Sequence, residues 1–291
     1  MPWLELRINS HRDDAPAIED NLMDCGALSV TLQDNADQPI FEPALGETPL
    51  WQDTRITGLF DANTDTQAIS TRLNLSDTST FAWHTLEDKD WEREWMNRYQ
   101  PIQCGDNLWI CPSWIDPPAP EATNILLDPG LAFGTGTHPT TYLCLQWLSE
   151  QKVENCTVVD YGCGSGILGI GALLLGAHSA TGIDIDHQAL LATQDNTQRN
   201  GIPRDRFTVF FPNKISPEPR DIVLANILAG PLVELAEVLN PLLKEGGLLC
   251  LSGILYSQAE AVMAAYADVI DFAPVRQKEE WVCLSGRKKH A

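Results

Sequence analysis

The sequence predicts an α/β protein in which a small α+β ferredoxin-like domain (residues 1–86) and a linker helix (87–100) precede a seven-stranded Rossmann-like domain (101–291). Three observations predict this. An apolar run, Thr157 to Tyr161, leads into alternating glycines at 162, 164 and 166, which is how an open parallel sheet begins a nucleotide pocket. Strand-like runs then alternate with helical patterns as far as residue 267, the signature of a doubly wound sheet. Before residue 87 the order of patterns is instead β-α-β-β-α-β.

The small domain is read from changes of period. Trp3 to Asn9 alternates like a strand, Ala15 to Cys25 is helical, and Leu28 to Gln33 is a second strand. A polar loop with Pro39, Pro43 and Pro49 leads to a strand at Arg55 to Asp61, a helix at Thr66 to Leu73 and a strand at Thr80 to Leu86. The linker Glu87 to Tyr99 is dense in charge and carries aromatics at 91, 95 and 99. That spacing makes one helical stripe, better suited to packing than to stacking a ligand.

In the larger domain the glycines open a turn that lets backbone approach a ligand closely, and Ile167 to Leu175 reads as the following helix. Ala180 to Asp184 is a second strand ending on a carboxylate, 22 residues beyond Gly162. An acid there can accept hydrogen bonds from the ribose hydroxyls of an adenosine. Its alternative role is a helix cap, a task Asp186 is equally placed to perform. Further strands are expected at Phe207 to Phe211, Asp221 to Asn226, Leu248 to Ser252, near Val269 to Val275, and at Trp281 to Ser285. Helices are expected at His187 to Arg199, Pro231 to Leu243 and Ser257 to Ala267. The last two strands have no helix between them and suit an antiparallel pair. Asn226 ends its strand at the ligand-binding edge, where its amide either faces the transferred group or caps the next turn.

Gly164-Ser-Gly-Ile-Leu-Gly169 matches a dinucleotide fingerprint, but the turn itself starts two residues earlier, straight after Asp160. An acid followed by Gly-x-Gly-x-Gly resembles the first motif of S-adenosylmethionine-dependent methyltransferases. A nicotinamide-dependent oxidoreductase stays open at this point as the competing class.

Composition limits the rest. No run of about 18 apolar residues occurs and the N-terminus lacks a secretory pattern, so the expectation is a soluble, cytoplasmic protein with no membrane partner. The eight cysteines include no Cys-x-x-Cys pair, which predicts reduced thiols without a disulfide framework, and no metal. Cys163 lies inside the glycine turn, where small-residue packing fits better than nucleophilic chemistry. The net charge is −21, and residues 1–85 hold 14 acids against 4 bases. Such a surface repels nucleic acid and attracts basic partners. The basic run Arg287 to His290 is expected to be solvated.

One motif points to a single family: Leu127-Asp-Pro-Gly-Leu-Ala-Phe-Gly-Thr-Gly-Thr-His-Pro-Thr-Thr141. Pro139 to Thr141 open a helix whose N-terminal amides suit an anionic group. With Asp90 to Trp95, Asn226-Ile-Leu-Ala-Gly-Pro231 and Ser252-Gly-Ile254, the chain resembles the ribosomal protein L-eleven methyltransferase family along essentially its whole length. The resemblance implies an enzyme that moves methyl groups from S-adenosylmethionine to lysine and N-terminal amines of that large-subunit protein, up to trimethylation; a monomer is expected. It implies cofactor contacts at Thr141, Gly162, Asp184 and Asn226, to which the turn adds Gly164 and Gly166. Phe133 and Asn226 are the implied catalytic positions, with Gly134 to Gly136 in the active-site loop, and the small domain is the implied substrate-recognition module. After Asn226 the chain reads Ile-Leu-Ala, not Pro-Pro-Tyr or Pro-Pro-Phe, which argues against glutamine-amide or adenine-N6 methylation. His138 is the nearest candidate base, though a capping role suits its place before Pro139 better. The alternatives are a methyltransferase acting on another basic protein or a small molecule.

Overall fold

The computed structural model describes residues 2–36, 38, 40, 48–75, 80–87, 99–128, 134, 136–214 and 218–290. The chain divides into two compact units, residues 1–96 and 97–291. The division falls inside the expected linker, whose helix lies outside the described residues.

The first unit comprises β1 (Trp3–His11), α1 (Ala15–Asp24), β2 (Ser29–Asp34), β3 (Asp53–Asp61), α2 (Thr66–Arg72) and β4 (Phe81–Leu86). The strands make an antiparallel sheet in the order β2-β3-β1-β4, the ferredoxin-like arrangement that the pattern predicts. Leu6 and Ile8 pair with Gly58 and Ile56. Strand alternation puts these side chains on one face with Phe60, where Leu22 of α1 and Ile69 of α2 complete the core. Gly58 is small for a reason: a Cβ there would lie 3.0 Å from the Phe60 ring and 3.2 Å from Leu22. Asp65 starts α2 by accepting from the amides of Gln67 and Ala68, each at 3.0 Å.

The second unit opens with strands the sequence reading did not foresee. These are β5 (Ile102–Gly105), β6 (Leu108–Cys111) and β7 (Thr123–Leu126), which form a separate three-stranded sheet. Each is only four residues long, too short for period-two alternation to stand out. They are followed by α3 (Pro139–Ser149), β8 (Thr157–Tyr161), α4 (Ile167–Leu174), β9 (Ser179–Ile183), α5 (His187–Arg199), β10 (Phe207–Phe210) and β11 (Arg220–Asn226). The chain ends with α6 (Ala229–Glu234), α7 (Ala236–Leu239), β12 (Leu243–Leu255), α8 (Ala259–Tyr266), β13 (Ile270–Phe272), β14 (Arg276–Lys278) and β15 (Trp281–Lys288).

The main sheet runs β10-β9-β8-β11-β12-β15-β13, with β14 also paired to β15. β10 through β12 are parallel and β15 is antiparallel. The order reverses beside β8, so the ends of β8 and β11 border the crevice where such sheets take ligands. Central strands are apolar on both faces: Val158, Val159, Ile222, Val223, Leu224 and Ala225 are all buried.

Three local expectations need correction. The helix expected over 231–243 is broken at Leu235, ends in a 3₁₀ turn at Asn240–Leu242 containing Pro241, and gives way to β12 at Leu243. The strand expected near 269–275 is two short strands, β13 and β14, separated around Pro274. The basic run is anchored by backbone as well as exposed to solvent: Lys288 Nζ donates to the carbonyls of Asn240 and Leu243 at 2.7 Å, and Lys289 Nζ to that of Ala267 at 2.7 Å.

Fully buried Tyr266 joins α8 to α6 by donating its hydroxyl to the Leu232 carbonyl at 2.6 Å. Tyr266→Phe leaves that buried carbonyl unpaired, so denaturant unfolding should show a loss of about 1–2 kcal/mol. An unchanged midpoint and slope would show that the bond contributes nothing.

Candidate active site

The site begins where β8 ends. Gly162, Gly164 and Gly166 all have positive φ (74°, 53° and 78°), a conformation that side chains with a Cβ adopt at a cost. Space is equally restrictive, since a Cβ at Gly162 would lie 2.2 Å from Ile227 Cγ2 and one at Gly166 2.7 Å from Thr193 Cγ2. Gly166 is the N-cap of α4 and supplies no side-chain cap. Asp160 takes over that role from the end of β8, accepting from the Gly169 amide at 2.9 Å. Gly169 belongs to helix packing, because a Cβ there would meet the Phe207 ring at 2.4 Å. Its presence in a dinucleotide-like register therefore has a steric cause unrelated to a ligand.

Two carboxylates of unlike environment flank this turn. Asp160 is 1% exposed; burial raises its pKa to about 7, partly opposed by the Gly169 hydrogen bond and reinforced by the nearby Asp184 charge. Asp184 is half-buried at the tip of β9. One of its oxygens accepts from the Gly164 amide and the other from the Asp186 amide, both at 2.9 Å. Asp186, not Asp184, caps α5 by accepting from Gln188. Asp184 thus has its carboxylate fixed at the cavity edge with lone pairs to spare.

α3 supplies the opposite wall. His138 is its N-cap, with Nδ1 accepting from the Thr140 amide at 3.4 Å and lying 2.8 Å from the Thr140 hydroxyl. Burial lowers the His138 pKa, with the Glu279 charge acting against it. Its ring meets Trp281 edge-on, with centroids 4.8 Å apart. Thr141 is buried and accepts from Asn226 Nδ2 at 3.3 Å. Asn226 Oδ1 is buried without a hydrogen-bond partner among the described residues, a state that calls for a donor.

These groups border one cavity of about 740 Å³, within the usual range for small-molecule sites. It brings together Thr141, Gly162, Gly164, Asp184 and Asn226. Gly166 instead lies against Thr193, serving the turn rather than the cavity wall. Phe133 and Thr135 lie outside the described residues. Gly134 does line the cavity, and its carbonyl accepts from Ser165 Oγ at 2.8 Å. The root of that loop is fixed at Asp128, which accepts from the amide and hydroxyl of Ser113 at 2.7 and 2.8 Å and pairs with Arg199 at 3.3 Å. Cys163 packs under the turn with its thiol pKa raised by burial, which fits the packing role and not that of a nucleophile.

Sequence reasoning did not assign Ile185, Leu228, Gly253 and Trp281 to the cavity, yet all four line it. Gly253 carried a readable signal as a glycine after a strand end. It has φ +84°, and a Cβ there would sit 2.2 Å from the Ile227 carbonyl oxygen. Ile185 follows the strand-end acid and is 85% exposed. Trp281 arrives from an antiparallel strand and had no local signal at all.

Comparison with known proteins shows the family. The family model for ribosomal protein L11 methyltransferase (PrmA) matches residues 2–289. The ribosomal protein L11 methyltransferase of Teredinibacter turnerae is 63% identical over 293 residues, 99% of this chain and 98% of its own. That of Saccharophagus degradans is 60% identical over 292 residues, 99% of this chain and 100% of its own. A crystal structure of the ribosomal protein L11 methylase from Lactobacillus delbrueckii subsp. bulgaricus superposes with a TM-score of 0.59 and 34% identity, over 66% of this chain and 100% of that one. With its whole length matched, the chain belongs to the ribosomal protein L11 methyltransferase family.

Proposed function

We propose that this protein methylates amines of ribosomal protein L11, with S-adenosylmethionine as methyl donor. The observation that carries the reading is the convergence of a fixed ribose-binding carboxylate and an unpartnered buried amide oxygen on one cavity, in a chain of this family. The fit to the cofactor rests on the glycine turn, where any Cβ at Gly162 would clash, on Asp184, and on the apolar face of Ile185. An isoleucine so exposed beside the ribose acid offers a surface for an adenine ring. The N-terminal amides of α3 suit the methionine carboxylate.

When bound, S-adenosylmethionine supplies an electrophilic methyl group on a sulfonium. The protein's task is then to align the amine lone pair and exclude water. Asn226 Oδ1 accepts an N–H of the incoming amine, and Thr141 keeps the amide oriented by accepting from Nδ2. His138 acts as helix cap and wall, not as base: its pKa is already lowered and its Nδ1 is committed to Thr140. The ammonium gives its proton to solvent water as it leaves bulk solvent and enters neutral, favoured by a cavity walled by Ile227, Leu228 and Trp281. Successive methylations up to the trimethyl state need a pocket that holds the nitrogen by shape, and Phe133 completes it in this reading. The small domain, with a net charge of −10 over residues 1–85, recruits the basic substrate protein and discourages nucleic acid. The enzyme works as a monomer in the cytoplasm; among the described residues no helix is long and apolar enough to cross a membrane.

Calorimetry should show binding of S-adenosylmethionine and S-adenosylhomocysteine and none of NAD. Asp184→Ala should weaken cofactor binding by about 1.5–3 kcal/mol; unchanged affinity in the folded variant would assign the ribose to another group.

Asp160 predicts two pH effects of opposite sign. Its carboxyl titrates at about 7 in the native chain against 3.8 for the ordinary group. The cofactor-free fold therefore holds the extra proton between those values and loses stability as pH rises through them. The sulfonium and ammonium of the cofactor favour the ionised carboxylate, so affinity should increase as pH rises through about 7. Asp160→Asn should flatten both profiles in denaturation and calorimetry; persistence of either profile would place its titrating group elsewhere.

A fragment of residues 87–291, which retains the main sheet and both of its cores, should bind cofactor yet fail to methylate L11. Mass spectrometry of L11 after incubation decides this, and full transfer by the fragment would remove the small domain from substrate selection.

A further inference from the structure

Below the cofactor cavity, three cysteines that are far apart in sequence meet. Cys144 of α3, Cys250 of β12 and Cys283 of β15 are fully buried. Their sulfur atoms all lie within 4.8 Å of one another, and Cys250 Sγ is 3.4 Å from Cys283 Sγ. Three sulfurs bound to one ion through bonds of about 2.3 Å stand about 4 Å apart in a trigonal plane, so the cluster needs only small side-chain shifts to close on an ion. We propose that Cys144, Cys250 and Cys283 form a three-sulfur site for a soft monovalent ion of the Cu(I) class.

The ligand set selects the ion. Thiolates favour soft metals, and structural zinc takes four ligands. No fourth histidine, cysteine or carboxylate joins the group among the described residues. The nearby Ser252 hydroxyl is engaged, donating to the Val282 carbonyl at 2.8 Å. A three-coordinate ion matches what is present. Arg276 sits opposite Cys283 in the β14–β15 register, which sets a positive charge beside the cluster. Ligation exchanges each S–H bond for an S–metal bond and releases the proton to solvent. No electron moves, because the ion enters as Cu(I).

The site's position gives it a consequence. α3 brings His138, Thr140 and Thr141 to the cofactor cavity, β12 brings Gly253 and β15 brings Trp281. An ion held by all three elements fastens the walls of that cavity to one another.

The test uses full-length reduced protein under anaerobic conditions, titrated with a cuprous acetonitrile complex against bicinchoninate as competing chelator. The expected result is one equivalent retained, a sulfur-to-copper charge-transfer band, three sulfur scatterers at roughly 2.3 Å in X-ray absorption, and a raised Tm. Cys250→Ser and, separately, Cys144→Ser should lose retention at least tenfold, with folding checked by circular dichroism. Cys25→Ser and Cys104→Ser, outside the cluster, should retain it. Failure of the native protein to hold the ion against the chelator, or equal retention by the folded Cys250→Ser and Cys144→Ser variants, would overturn the proposal.

Discussion

The architecture of the site depends on the set of hydrogen bonds between the glycine turn and the tip of β9: the Gly162 and Cys163 amides donate to the Ile183 carbonyl at 2.7 and 3.1 Å, and the Gly164 amide donates to the Asp184 carboxylate at 2.9 Å. They tie the turn after β8 to the tip of β9, two strands already in parallel register from Thr157 and Ser179 to Tyr161 and Ile183. A left-handed glycine turn by itself has little intrinsic preference for one conformation. The carboxylate fixes it, and the acid is itself fixed by the amide of Asp186. What emerges is a charged group held in place before any ligand arrives, which reduces the ordering that binding must impose.

Asp160 performs the complementary task from inside. α4 starts on a glycine and has no cap of its own, so the buried carboxyl accepts the otherwise orphaned Gly169 amide. That arrangement leaves a carboxyl in surroundings that disfavour its charge, beneath a cavity suited to a cation. The resulting pKa near neutrality follows from that burial, which the Gly169 hydrogen bond only partly offsets.

The wall formed by α3, β12 and β15 follows the same logic of shared elements. Thr141 orients Asn226 from one end of α3, while Glu150 at the other end accepts from both terminal guanidinium nitrogens of Arg276 on β14. Lys278 lies over the Tyr142 ring, 4.7 Å from its centroid. The helix is thus held along its length by contacts at both ends and at Tyr142.

The sequence by itself determined the ferredoxin-like and doubly wound patterns, the glycine turn with its strand-end acid, and the long loop motif of the family. Those features are local: period, turn chemistry and fixed spacing are encoded by neighbouring residues. Tertiary structure alone decided which groups converge. It made Asp160 the acceptor for a helix amide nine residues away, assigned Asp186 and not Asp184 to α5, and turned Gly169 into a packing contact with Phe207. It also brought Trp281 and Gly253 to the cavity and gathered Cys144, Cys250 and Cys283 from three separate elements. No spacing rule announces such meetings, because they depend on the sheet order β8-β11-β12-β15, and that order is set by pairing between segments that are not neighbours in the chain.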